Sequence, residues 1–194
     1  MKIVTILDTE TTGLLRSDKV ICFGAILASL DEEANTLKFE AATELYNEVP
    51  VKISVEASRI SGIDNVKLHQ LAQGMTTREV GECVAEYIHT SDLIVGHNII
   101  SFDARMIQET YPIVGKIPYS KMVDTIQACQ KHFGKRMKLE QAVKILKIPC
   151  KEDFARDVKD SVFGTSFHSA LYDAYCTARL YAKLKGYTWI GDTE

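Results

Sequence analysis

Five residues of this 194-residue chain could do chemistry together. The stretch "LDTETTG" (Leu7 to Gly13) sets Asp8 and Glu10 two apart, directly after the apolar run "KIVTIL". On a β-strand two such side chains project to one face. Aligned carboxylates are the usual protein contribution to a site for a hard cation such as Mg²⁺. An acidic strand end facing water has the same pattern, so further acids must decide. Asp103 follows the short apolar segment "LIVGHN" by five residues; alone, it reads equally as a helix N-terminal acid favoured by the macrodipole. Asp173 borders an apolar stripe of Leu171, Ala174, Ala178 and Leu184, and His168 lies five residues before it. Taken singly, these are a solvated acid and a capping or surface histidine.

The elements that must position these residues are legible as periodicity. Lys2 to Leu7 reads as a buried strand, rich in β-branched residues. Thr11 to Gly13 supply the turn that ends it. Val20 to Leu30 and Leu37 to Val49 read as long strands joined by the polar turn "DEEANT", so the chain opens as a three-stranded meander. Leu93 to Asn98 is a fourth, short strand. Helices are expected over 54–61, capped by Ser54 and ended by Gly62, and over 77–90, with Val80, Val84, Ala85 and Ile88 on one face. Further helices are expected over 101–111, stopped by Pro112, then over 125–133, 139–148 and 168–185, the last with Gly186 as C-cap. The segment "KEDFARDVKDSVFGTSF" reads as a polar loop bordering a site. Strands first, then strand and helix in alternation, describe a mixed α/β sheet with helices packed on it. Sites in open α/β sheets gather beyond the carboxyl ends of strands. If the first and fourth strands are parallel neighbours, Asp103 converges there on Asp8 and Glu10, with Asn98 where the fourth strand stops.

Composition narrows the classes. With 46% hydrophobic and 25% charged residues and no repeat or linker, one globular domain over 1–194 is expected. A net charge of -3 offers no global basic field to hold nucleic acid by phosphate neutralisation, so any such contact is local or carried by metal. The local candidate is Lys131, Lys135, Arg136 and Lys138, which reads either as a solvated helix end or as a guide for a strand. Five widely separated cysteines without a CxxC pair read as reduced thiols, and a cytoplasmic setting with no membrane contact is expected.

Taken in order, "DTETTG" with Asp8 and Glu10, "HNIISFD" with Asp103, and "HSALYD" with His168 and Asp173 resemble the DEDDh, or DnaQ-like, 3′→5′ exonucleases of the ribonuclease H-like superfamily. Members include the proofreading exonuclease subunit of bacterial DNA polymerase III and exodeoxyribonuclease X-type enzymes. The histidine five residues before the last aspartate matches the histidine subclass; the tyrosine subclass has tyrosine one position later, where this chain has Ser169. "FGAIL", "NEVPVKISVEASRISGI", "VDTIQAC" and "LEQAVKIL" extend the resemblance over nearly the whole chain. Ser61 stands where many proofreading members carry histidine, and "CFG" lacks the glutamate common in that strand.

The resemblance implies an α/β, ribonuclease H-like fold, with a mixed five-stranded sheet (antiparallel meander plus parallel strands) flanked by helices. It implies two divalent cations, Mg²⁺ or Mn²⁺, held by Asp8, Glu10, Asp103 and Asp173, with His168 as general base. It places Thr11, Leu14, Ile60, Ser61, Asn98 and Phe102 at the terminal nucleotide, with Leu14 as a wedge against the base. The implied activity is release of nucleoside 5′-monophosphates from single-stranded or frayed DNA 3′ ends. RNA 3′ ends, as in ribonuclease T or oligoribonuclease relatives, and a proofreading role bound to a DNA polymerase subunit are the alternatives; a homodimer is also compatible.

Overall fold

The β-branched residues after Met1 form β1 (Lys2–Thr11), which pairs antiparallel with β2 (Val20–Asp31); β2 in turn pairs antiparallel with β3 (Thr36–Tyr46). The computed structural model describes residues 1–158 and 167–192. β1 runs four residues beyond the expected Leu7 because Asp8, Thr9, Glu10 and Thr11 find partners in Gly24, Phe23, Cys22 and Val20. β4 (Leu93–Gly96) lies parallel to β1 on its other side, and β5 (Met122–Asp124) lies parallel to β4.

Among the described residues the sheet has six strands rather than the expected five, in the order β5-β4-β1-β2-β3-β6. The sixth, β6 (Thr188–Ile190), falls in the short stretch after the last helix and runs parallel to β3. Its anchor is Trp189, whose ring lies 6.4 Å from Phe39 and 5.7 Å from Tyr175. Three residues are too few for a periodic signal, so only packing reveals β5 and β6.

Helices cover both faces. α3 (Thr77–Thr90) and α4 (Asp103–Thr110) pack on the face that carries Leu7, Phe23 and Ala25. α5 (Thr125–Phe133), α6 (Leu139–Ile145), α7 (Cys150–Asp157) and α8 (Ala170–Lys185) pack on the face that carries Val4, Ile6 and Ile26. Strand alternation therefore carries Asp8 and Glu10 to the α8 side. α1 (Val55–Ser61) is capped by the Ser54 side chain and ends at Gly62 in the left-handed conformation, both as expected. α2 (Asn65–Ala72), capped by Asp64, was not anticipated.

The expected polar loop from Lys151 is helical to Asp157, because Phe154 turns into the core against Tyr172 and Tyr175. Residues 159–166 of that segment lie outside the described residues. No disulfide is formed; Cys22, Cys129, Cys150 and Cys176 are buried thiols.

Candidate active site

Asp8 and Glu10 stand on β1 beside the parallel strand β4. β4 stops at Gly96, and Asn98 then adopts the left-handed conformation (φ 78°), which asparagine tolerates. Asp124 braces this turn: its carboxylate accepts from the amides of Asn98 (3.0 Å), Ile100 (3.4 Å) and Ile126 (2.9 Å), the last as cap of α5. The turn delivers Asp103 as the first residue of α4, where the Thr9 hydroxyl donates to its Oδ1 at 2.7 Å. Asp173 occupies the first turn of α8. That helix comes close because Gly24 lies directly opposite Asp8 on β2 and presents only hydrogen to the Ala170–Leu171 peptide.

The acids lie close enough to act on one another's charge. Burial, followed by the charges of Asp103, Asp173 and Glu10, holds the Asp8 carboxyl well above the usual range. Glu10 is raised by burial and then by Asp173, Asp103 and Glu44. Asp103 is pushed up to about 6 by burial, against the opposing Thr9 hydrogen bond. Asp173 is pushed up to about 7, again chiefly by burial.

Among the described residues no lysine or arginine pairs with any of the four. Nor, among the described residues, are any three acid, histidine or cysteine side chains placed close enough together to hold a metal ion as they stand. Among the described residues Asp173 Oδ1 is buried and without a hydrogen-bond partner, a costly state for a carboxylate oxygen unless it faces a cation. The donor set therefore fits divalent metal: hard oxygen ligands, mutually repelling, with one orphaned lone pair.

His168 precedes α8 in the left-handed conformation (φ 68°), with an exposed side chain. Its backbone amide donates to Asp173 Oδ2 at 3.2 Å, so it is joined to the cluster through the main chain. Thr11, Leu14, Ile60 and Phe102 line one cavity of about 230 Å³, together with Glu10, Ser54, Glu56 and Ala57. Leu14 is 78% exposed. Ser61 stands apart: it is buried, donates to the Ala57 carbonyl at 2.9 Å and accepts from the Ile63 amide, closing α1. Asn98 is not among the residues lining the cavity, and its Oδ1 accepts from Arg136 at 3.2 Å.

Sequence reasoning passed over Thr9, Gly24, Glu44 and Asp124. Asp124 carried a usable signal, since an aspartate immediately before an apolar-periodic run is a helix cap. The others depend on cross-strand register. Gly24 sits between Asp8 and Glu44, and Glu44 adds its charge to Glu10.

The chain matches the exonuclease (RNase T) family over residues 5–181. No curated protein sequence matches it significantly. Among solved structures it is similar to exonuclease X in complex with 5′ overhanging duplex DNA, at TM-score 0.66 and 22% identity, covering 95% of this chain and 94% of that one. It is also similar to E. coli exonuclease I in complex with a dT13 oligonucleotide, at TM-score 0.70 and 17% identity, covering 95% of this chain and 41% of that one. The exonuclease I of Methylocaldum szegediense gives TM-score 0.66 at 18% identity, covering 94% of this chain and 41% of that one. The chain thus spans about two fifths of the exonuclease I chains. With the match running from β1 through most of α8, and so across Asp8, Glu10, Asp103 and Asp173, this protein belongs to the DnaQ-like exonuclease family of the ribonuclease H-like superfamily.

Proposed function

We propose that the protein is a metal-dependent 3′→5′ exonuclease that releases nucleoside 5′-monophosphates from single-stranded or frayed DNA 3′ ends. The observation that carries this reading is the convergence of Asp8, Glu10, Asp103 and Asp173 without a basic partner among the described residues. When bound by these four carboxylates, two divalent cations, Mg²⁺ or Mn²⁺, supply Lewis-acid chemistry at phosphorus. Thr9 orients Asp103, and the His168 amide orients Asp173, each through one carboxylate oxygen.

The His168 imidazole takes the proton from the attacking water as general base. The cavity beside Glu10 receives the terminal nucleotide, with Leu14, Ile60 and Phe102 as apolar surface for its base. Such contact tolerates sequence because every base has a π-face. The similarity to exonuclease structures holding DNA oligonucleotides supports a DNA substrate.

The test is degradation of 5′-end-labelled DNA and RNA strands of one sequence in Mg²⁺. Stepwise shortening of DNA, with RNA degraded at least tenfold more slowly, is expected. Preferential shortening of RNA would transfer the chemistry to an exoribonuclease, and internal cuts would refute the exonuclease mode.

A further inference from the structure

The acid cluster leaves a problem for any polyanionic strand: the groups that could hold metal at the scissile phosphate offer only repulsion to the next phosphate along. The geometry points to Arg136 as the side chain that takes a backbone phosphate of the strand upstream of the scissile one; this inference rests on the exonuclease reading above.

Arg136 lies in the connection between Gly134, the left-handed end of α5, and Leu139, where α6 begins. Two ties hold that connection against the end of β4. His97 pairs through Nε2 with the Met137 carbonyl at 3.0 Å, and through Nδ1 with the Thr125 hydroxyl at 2.8 Å. Met137 itself is buried in the core beneath α8. Arg136 is thus exposed while the residue after it is fixed, so the loop-ordering cost of gripping a ligand is largely met before the ligand arrives.

Its one hydrogen bond among the described residues is to a neutral acceptor, Asn98 Oδ1. No described carboxylate pairs with it. A guanidinium carries five N–H donors in a planar fork that matches phosphate oxygens, so most of its capacity is open. Lys135 and Lys138 flank it and are also exposed, which extends the positive edge. In a chain of net charge -3 this is a local basic contact of the kind a strand requires.

The test compares wild type with Arg136→Gln and Arg136→Lys, and uses Lys116→Gln as a charge control. Lys116 follows a turn whose Val114 carbonyl bonds His89, at the opposite end of the sheet, where β4 begins. On 5′-labelled oligothymidylate in Mg²⁺, Arg136→Gln is expected to raise KM roughly tenfold with kcat within about twofold. The salt slope of kcat/KM should become shallower by about 0.7, one phosphate's worth on a single strand. Arg136→Lys should recover the slope and part of the KM.

The p-nitrophenyl ester of thymidine 5′-monophosphate has a scissile phosphodiester and no upstream strand, and should be hydrolysed equally by wild type and variant. Loss of activity on that ester, or an unchanged KM and slope on the strand, overturns the assignment. Fluorescence anisotropy with labelled oligothymidylate in Ca²⁺ reads binding without turnover. Arg136-dependent binding by a wild type that degrades nothing would keep the phosphate contact and refute the exonuclease reading. Equal binding by wild type and Arg136→Gln refutes the contact alone.

Discussion

Gly24 and Ala170 touch backbone to backbone: a Cβ on Gly24 would stand 2.6 Å from the Ala170 carbonyl oxygen and nearer still to the Ala170–Leu171 peptide. Because Gly24 pairs with Asp8 and Ala170 begins the helix bearing Asp173, this one contact sets the separation of two site carboxylates. Gly24→Ala must push the start of α8 off the sheet. It is expected to cost about 1–3 kcal/mol by overpacking, a fall in Tm of about 3–10 °C for a domain of this size. Loss of Mg²⁺ affinity should accompany it, as titration calorimetry would read. A variant with unaltered Tm and metal affinity would show that the contact does not govern the site.

The second prediction concerns His168. His168→Ala should keep the Asp173 contact, which uses the backbone amide, and therefore keep metal binding. Turnover should drop by ~10²–10⁴-fold, the contribution of a positioned general base. Undiminished turnover in single-turnover assays would remove the role.

The pH dependence of stability has a definite sign in the metal-free protein. Asp103 and Asp173 titrate near 6 and 7 when folded, well above an unfolded aspartate, whose value is about 4. Between those values the native state holds more protons than the unfolded state, so stability falls as pH rises through this window. Below about pH 4 their favourable contribution is fully present. Urea midpoints in EDTA should therefore decline from pH 4 toward pH 8 in wild type, and less so in Asp173→Asn. Mg²⁺ should raise Tm more at pH 8 than at pH 5, since it competes with protons for the same oxygens. A midpoint that climbs with pH equally in both proteins would contradict the raised values.

Away from the site, Asp157 holds the C-terminal strand. It is buried and accepts from Tyr175 Oη (2.6 Å), Trp189 Nε1 (3.1 Å), Arg156 Nε (2.8 Å) and the Asp192 amide (3.2 Å). These donors hold its carboxyl below the usual range despite burial, which works the other way. Asp157→Ala leaves several donors unsatisfied and should cost about 2–3 kcal/mol in urea unfolding, while the folded fraction retains its specific activity.

How much of this was legible in sequence depends on range. Alternation and capping placed Asp8, Glu10, Asp103 and Asp173 on a strand end or a helix start, but singly each reads as a solvated or capping acid, and only the resemblance of the ordered motifs joined them into one proposed site. The meander, the caps at Ser54 and Gly62, and the end at Gly186 follow from the same short-range rules. β5 and β6 were not readable, because strands of three residues exist only by virtue of their neighbours. α7 was missed because a single buried aromatic, Phe154, supplies its apolar face amid charge. Gly24 and Thr9 acquire their roles from register across strands, and from the approach of α4 and α8, which no local window contains.

The most direct test of the central claim is the fate of a 5′-end-labelled single-stranded oligodeoxynucleotide with wild type and Asp8→Asn, in Mg²⁺ and in EDTA. The four-carboxylate account predicts a ladder shortening one nucleotide at a time with wild type in Mg²⁺, and an intact strand in the other three reactions. A ladder that persists in EDTA or with Asp8→Asn would contradict it.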